Sequence, residues 1–140
     1  MYALYYYPGN ASLLPHMVLR EIGAPFELRL VDRTQDAQKS ADYLRLNPNG
    51  RIPVLIDGEL VLFETAAIVL HLVDRHPEAG LAPRPGTPER PQFYKWMVHL
   101  TNTPQAEYAP GSILGSMSRI ARRPKASSRL QASAWAACSK

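Results

Sequence analysis

The stretch NPNGRIPVLIDGELVLFET, residues 47–65, decides the fold of this chain. Two apolar triplets, 54–56 and 60–62, flank an Asp-Gly pair at 57–58, and such a pair supplies the positive φ that a type I′ hairpin turn requires. The stretch opens with Asn, Pro and Gly, which interrupt helices, and it ends at Thr65, a residue that can cap one. It therefore predicts a β-hairpin between two helices.

The residues before this hairpin alternate between strand and helix patterns. Residues 3–7 and 26–30 are rich in strand-forming side chains, and residues 12–22 between them follow a helical pattern that Gly23 ends. Two strands joined by a helix predict a βαβ unit with parallel strands. A weaker helical pattern over 32–46 completes the predicted order of βαβ, helix, ββ, helix.

Helical spacing returns after the hairpin. The pattern over 65–76 ends at Pro77, and residues 77–91 hold five prolines, which indicates a semi-rigid linker. Thr87 followed by proline is typical of a helix start, and we expect the helix that follows to end or kink at Pro104. The apolar positions are Leu14, Met17 and Val18 in the first helix, Ile68, Val69, Leu72 and Val73 in the helix after the hairpin, and Phe93, Trp96, Met97 and Leu100 in the last.

Charge divides the chain near residue 108. Residues 1–108 hold ten Lys/Arg and twelve Asp/Glu, whereas residues 109–140 hold six Lys/Arg and no acid. A basic segment can bind nucleic acid, but this one offers a single aromatic side chain, Trp135, for base stacking. We therefore interpret it as a solvated tail and do not expect a nucleic-acid partner.

Composition argues against several classes of protein. No apolar run reaches the ~18 residues of a membrane-spanning helix, and residues 1–7 lack the basic lead of a secretory signal. A single cysteine, Cys138, excludes a disulfide framework, and the four histidines lack the spacing of metal ligands. We expect a cytoplasmic protein with no membrane partner and no metal.

Two polar side chains, Asn10 and Ser12, lie in the turn between the first strand and the first helix. A helix N-terminus stabilises anions, and an amide or hydroxyl beside it can donate a hydrogen bond to a thiolate, which lowers the pKa of the thiol. The alternative is that either side chain simply caps the helix.

Two further pairs flank the hairpin. A cis bond before Pro53 would turn the backbone N–H and carbonyl of Ile52 toward a ligand, although a trans bond is the commoner arrangement. Glu64 and Thr65 stand at a second helix N-terminus, where the carboxylate can bind the ammonium of an α-amino acid while the hydroxyl and helix N–H groups bind its carboxylate. The alternative for this pair is helix capping by Thr65.

Three segments in this order resemble the glutathione S-transferase family, and most nearly its bacterial beta-like members. They read YYYPGNASLLPHMVLREIG, NPNGRIPVLIDG and FETAAIVLHLVDRHP, and a proline-rich linker and ERPQFYKWMVHL follow them. The resemblance implies an α/β fold with a thioredoxin-like N-terminal domain (βαβ-α-ββα) over residues 1–76, a linker over 77–91 and a partial all-helical C-terminal domain that begins over 92–108. It also implies a homodimer.

The resemblance further implies where glutathione binds. Ile52, before the family's cis-proline at Pro53, is expected to bind the backbone of the cysteinyl residue. Glu64 and Thr65 match the pair that holds the γ-glutamyl end.

The remaining implied roles concern the other end of glutathione and its thiol. Arg51 and Lys39 are expected to face the glycyl carboxylate, and Ser12 or Asn10 to stabilise the thiolate. Glutathione is then a co-substrate whose thiol attacks an electrophilic small molecule, as in detoxification, and no metal takes part.

The sequence departs from the family at two places. Beta-type members carry a cysteine in the first strand–helix turn, where this chain has Ala11, so dithiol exchange at that turn is excluded. The helices that the family continues with are replaced by the divergent basic tail, 109–140, which we interpret as a truncation or frame change. The alternative function is therefore a glutathione-binding module with little or no catalytic activity.

Overall fold

The computed structural model of the protein describes the backbone of residues 1–108 and the side chains of residues 1–102. The predicted basic tail, 109–140, and its Cys138 lie outside this range. Among the described helices, none is long and apolar enough to cross a bilayer.

The predicted βαβ unit is present. It consists of β1 (Tyr2–Tyr6), α1 (Leu13–Glu21) and β2 (Phe26–Leu30), and each element lies within one or two residues of its predicted bounds. β1 and β2 are parallel, with Tyr2 opposite Phe26 and Tyr6 opposite Leu30.

The predicted hairpin consists of β3 (Val54–Asp57) and β4 (Leu60–Phe63). β3 is antiparallel both to β1 and to β4, so that the sheet has the order β2-β1-β3-β4. The predicted type I′ turn at Asp57-Gly58 was wrong. Asp57 still pairs with Leu60, the turn residues are Gly58 and Glu59, and positive φ is confined to Gly58, as in a type II′ turn.

The region predicted as one weak helix over 32–46 is divided into three pieces. Two 3₁₀ turns, Arg33–Gln35 and Ala37–Lys39, precede the short helix α2 (Ala41–Leu46). Asp36, between the two turns, has a left-handed backbone (φ 54°) that no continuous helix accommodates. The Ser40 side chain then accepts a hydrogen bond from the N–H of Tyr43 and starts α2 anew.

Apolar side chains form a cluster on each face of the sheet. The helix α3 (Thr65–Arg75) buries all four of its predicted apolar positions. The α1 and α3 face holds Tyr2, Leu4, Leu19, Ala24, Leu55, Ile68 and Leu72, and the α2 face holds Val31, Tyr43, Ile52 and Val54.

The predicted apolar positions of α1 differ from the residues that the helix buries most deeply. The helix buries Pro15 and Leu19, while Met17 is 58% exposed. Together with Leu14 and Val18, Met17 lines an apolar groove of about 290 Å³, which α3 and the helix α4 (Arg90–Tyr108) also border. Val18 also packs against the cluster on the α1 and α3 face, so one position of the predicted stripe contacts both the groove and the core.

The last described helix, α4 (Arg90–Tyr108), begins later and ends later than predicted. Thr87 does not cap it, because its hydroxyl donates to the carbonyl of Arg84. Pro104 does not end α4, which continues to Tyr108. A proline removes one backbone hydrogen bond of a helix, and α4 continues without that bond. Within the predicted apolar face, Phe93 and Met97 are partly buried, while Trp96 and Leu100 are more than half exposed.

The start of α4 is held by an ion pair between a buried arginine and a half-exposed aspartate, which the sequence did not indicate. Arg90 is 3% exposed, and its guanidinium donates to the Asp74 carboxylate at 2.7 Å and to the carbonyl of Pro83 at 2.6 Å. It also lies over the rings of Phe93 and Tyr94. One side chain therefore connects α3, the proline-rich segment and α4.

Candidate functional site

Sheet register brings three chain segments to one end of the sheet. Val54, the first residue of β3, lies opposite Tyr5 near the end of β1 and opposite Phe63 at the end of β4. The segments that follow β1, precede β3 and follow β4 are therefore neighbours. They contain the polar turn, Ile52–Pro53 and Glu64–Thr65, as the sequence predicted.

The bond between Ile52 and Pro53 is cis, as the family resemblance implied and contrary to the local preference for trans. Ile52 is 8% exposed, yet its N–H and carbonyl form no hydrogen bond with any described residue. Unpaired backbone groups in a buried residue are costly unless a partner reaches them. This peptide edge is therefore able to bind an extended peptide-like ligand.

Thr65 connects the start of α3 to the polar turn. It is 6% exposed, and its hydroxyl donates to the carbonyl oxygen of Ala11 at 3.4 Å. The alternative interpretation of Thr65 as a helix cap is wrong, because Glu64 occupies the cap position and the Thr65 hydroxyl points to another segment.

Glu64 adopts a backbone conformation that is unusual for a residue with a side chain. Its φ of 73° lies in the left-handed region, while its side chain is exposed and its carboxylate forms no hydrogen bond within the described part of the chain. A strained backbone that presents an unpaired charge is typical of a ligand-binding position. The N-terminus of α3 directly follows this carboxylate.

Neither polar side chain of the turn between β1 and α1 caps the helix. Ser12 is 2% exposed, and its hydroxyl donates to the Tyr7 carbonyl at 3.2 Å and accepts from the Tyr7 N–H at 3.3 Å. The Asn10 carbonyl oxygen Oδ1 accepts from the N–H of Ala11, while its Nδ2 donates to no described residue. The hydroxyl hydrogen of Ser12 is thus engaged, and the amide hydrogens of Asn10 are available.

The two candidate cations, Arg51 and Lys39, are both exposed. Lys39 forms an ion pair with Asp36 at 2.9 Å, and this hydrogen bond lowers the pKa of the Asp36 carboxyl. Close packing brings the two cation-bearing segments together, since a side chain at Gly50, next to Arg51, would meet the backbone of Gln38, next to Lys39, at 3.1 Å.

Two residues at this site were missed as functional candidates. The carbonyl oxygen of Arg51 accepts hydrogen bonds from the Tyr43 hydroxyl at 2.9 Å and from the Asn47 amide at 2.8 Å. In the sequence, Tyr43 lies within the weak helical pattern over 32–46, and Asn47 is one of the residues that interrupt helices. Asn directly before Pro is also a turn signal, and that signal could have suggested a side chain bonded to nearby backbone.

No group of three His, Cys, Asp or Glu side chains suited to a metal ion occurs among the described residues.

The sequence of the chain is similar to known proteins of one family. Residues 2–74 match the family model described as the N-terminal domain of glutathione S-transferase. Glutathione S-transferase GST-4.5 of Xanthomonas campestris pv. campestris is 40% identical over 95 residues, which cover 68% of this chain and 46% of that protein. Glutathione S-transferase GstA of Escherichia coli O157:H7 is 31% identical over 109 residues, which cover 76% of this chain and 54% of that protein.

Solved structures of glutathione transferases are similar to this chain in fold. A glutathione transferase homologue from Sulfitobacter, crystallised with bound glutathione, has a TM-score of 0.71 and 32% identity over 78% of this chain and 52% of its own. The beta-class glutathione S-transferase of Sphingomonas chungbukensis has a TM-score of 0.68 and 38% identity over 79% of this chain and 58% of its own.

The fold is thus the predicted thioredoxin-like α/β domain with a helical segment after it. The chain belongs to the glutathione S-transferase family, and the resemblance to its bacterial beta-class members is confirmed. It spans about half the length of the curated relatives named above, 46% and 54%.

The strain at Glu64 yields a testable prediction for stability. Glu64→Gly and Glu64→Ala remove the same charge, but glycine also relieves the positive φ, so its free energy of unfolding should exceed that of the alanine variant by about 1 kcal/mol. Urea denaturation measures this difference. The same two substitutions at Glu59, whose φ is not positive, should give the opposite order. Equal stabilities at position 64 would contradict the assigned strain.

Proposed function

We propose that this chain binds glutathione at the end of the sheet formed by the turn after β1, the Ile52–Pro53 segment and the start of α3, and presents its thiol for attack on an electrophilic small molecule. The observation that carries the proposal is the unpaired N–H and carbonyl of buried Ile52. A peptide ligand can pair with both groups, as a neighbouring strand would. Family membership supports the same ligand.

The two ends of glutathione differ in charge, and so do the groups available to them. In the proposed pose the cysteinyl backbone pairs with Ile52, and the γ-glutamyl ammonium binds the exposed Glu64 carboxylate. The γ-glutamyl carboxylate binds the N–H groups of α3 and the Thr65 hydroxyl, whose bond to Ala11 at 3.4 Å is long enough to exchange readily. Charge-assisted hydrogen bonds of this kind are among the stronger polar contacts.

The glycyl carboxylate is assigned to Arg51 and Lys39. Both cations are exposed, and Lys39 would exchange its partner Asp36 for the ligand. Exposed ion pairs contribute little, so we expect these two residues to guide the ligand more than to hold it.

The thiol is assigned to the turn at the N-terminus of α1. Asn10 is the better placed donor because its amide hydrogens are free among the described residues. Ser12 can donate to a thiolate after its hydrogen leaves the Tyr7 carbonyl. A hydrogen bond to the thiolate lowers the pKa of the thiol and increases the nucleophilic fraction at neutral pH.

A second function, glutathione binding without efficient conjugation, is favoured by the turn before α1. Ala11 stands where beta-type members carry a cysteine. The family also suggests a homodimer and a cytoplasmic location, and we propose both for this chain.

Glutathione should raise the melting temperature of the full chain, because a ligand that binds the folded state alone stabilises it. At a concentration one hundred times the dissociation constant, the gain in stability is about 2.7 kcal/mol. Differential scanning calorimetry measures this gain, with γ-glutamyl-alanyl-glycine as a thiol-free comparison. Absence of a shift would refute the proposal. Where the melting temperature does rise, a conjugation assay with an aryl halide distinguishes a transferase from a binding module.

Glu64→Gln should weaken glutathione binding by about 1–3 kcal/mol, since it removes the charge that faces the γ-glutamyl ammonium. Isothermal titration gives the dissociation constant. Glu59→Gln, which removes another exposed carboxylate at the opposite end of the hairpin, is the matched control and should bind as the wild type does. An unchanged constant for Glu64→Gln would contradict the pose.

Asn10→Ala should raise the apparent pKa of the bound thiol by about one unit, which lowers the thiolate fraction about tenfold at pH values below that pKa. The pH dependence of the conjugation rate, or the ultraviolet absorbance of the thiolate where conjugation is absent, measures the shift. Ser12→Ala is the comparison, because it leaves the Tyr7 N–H and carbonyl without their partner and should mainly reduce stability. A larger pKa shift in Ser12→Ala than in Asn10→Ala would assign the thiolate to Ser12.

A further inference from the structure

The peptide between Arg51 and Ile52 is held from one side by two buried donors. The Tyr43 hydroxyl and the Asn47 side-chain amide both donate to the Arg51 carbonyl oxygen, at 2.9 Å and 2.8 Å. Tyr43 is 4% exposed and Asn47 is 2% exposed, so the hydrogen bonds are shielded from water. A carbonyl oxygen has two lone pairs, and both are used here.

This contact determines where the Ile52 N–H points. The Arg51 carbonyl and the Ile52 N–H belong to one planar peptide group, in which they point in opposite directions. Fixing the oxygen on the interior side therefore fixes the N–H on the other side, where it has no described partner.

Both donors are themselves fixed. The Tyr43 ring packs against Val31, Ile52 and Val54 and meets the Tyr5 ring edge to face at 5.8 Å. Burial raises the pKa of the Tyr43 phenol, which keeps it protonated and able to donate.

Asn47 is fixed by a second bond of its own side chain. Its Oδ1 accepts from the N–H of Asn49 at 3.0 Å, which orients its Nδ2 toward Arg51. The neighbouring Gly50 closes this turn with its N–H on the Asn47 carbonyl.

We propose that Tyr43 and Asn47 are positioning residues for glutathione, which aim the Ile52 N–H at the cysteinyl backbone without touching the ligand. This inference rests on the proposed function of the Ile52 backbone. A ring at position 43 fills the α2-side cluster with or without its hydroxyl, so packing alone does not account for the hydroxyl. The polar bond instead acts on the one peptide that the ligand needs.

Tyr43→Phe tests the inference because it keeps the ring and removes the donor. Tyr5→Phe is the matched control. It removes the hydroxyl of the packed partner ring, which accepts a hydrogen bond from Arg29 and has no contact with the Arg51 carbonyl. The dissociation constant of glutathione is measured by titration calorimetry on the full chain, together with the melting temperature without ligand.

Tyr43→Phe should bind glutathione about three- to tenfold more weakly than wild type, whereas Tyr5→Phe should bind as wild type does. The Ile52 amide signal in a ¹⁵N–¹H correlation spectrum should move in Tyr43→Phe without ligand and stay in place in Tyr5→Phe. A purely structural role would lower the melting temperature and leave both the affinity and the Ile52 signal unchanged, and this result would overturn the inference.

Asn47→Asp provides a second test, because it keeps the acceptor for Asn49 and removes the donor to Arg51. It should weaken glutathione binding in the same direction, and it decides the question if Tyr43→Phe does not fold. Wild-type protein that fails to bind glutathione would overturn the proposed function and this inference together. Wild type that binds, with both variants binding equally well, would overturn the positioning role alone.

Discussion

The antiparallel pairing of β3 with β1 in the middle of the sheet is the constraint on which the candidate site depends. With Val54 opposite Tyr5, the segment that enters β3 must lie beside the segment that leaves β1. The pairing of the same residue with Phe63 adds the start of α3. A shift of one residue would turn Val54 from the α2-side core toward the opposite face and would displace the segment that enters β3 by ~3.3 Å along its neighbours, so the apolar core and the site require the same register.

Much of this architecture follows from local sequence patterns. The hairpin, the βαβ unit and α3 were predicted within one or two residues because each combines a clear period with a clear break, such as Gly23 or Pro77. The positions of Ile52, Glu64 and Thr65 at one end of the sheet follow from the same elements. Asn10 and Ser12 were placed in the correct turn, but the bond between Ser12 and Tyr7 is a tertiary detail that no spacing reveals.

The sequence could not predict features that depend on contacts between distant residues or on a single backbone angle. Thr65 donates to Ala11, 54 positions away, instead of capping its own helix. The left-handed angle at Asp36 divides a segment whose composition is compatible with a helix. The cis bond before Pro53 opposes the local preference, and only the family resemblance indicated it. The hydrogen bonds of Tyr43 and Asn47 become visible once the Arg51 carbonyl is located between them.

The edge strand β2 has a consequence for how this protein behaves in concentrated solution. One side of β2 pairs with β1, and its other backbone edge has no neighbour in the described sheet. Leu28 and Leu30 are exposed along it, a combination that invites strands of other molecules to add and aggregates to grow. Between them lies Arg29, ion-paired with Glu27, and such charges on an edge strand discourage that association. These two charged side chains therefore protect the exposed edge of the sheet.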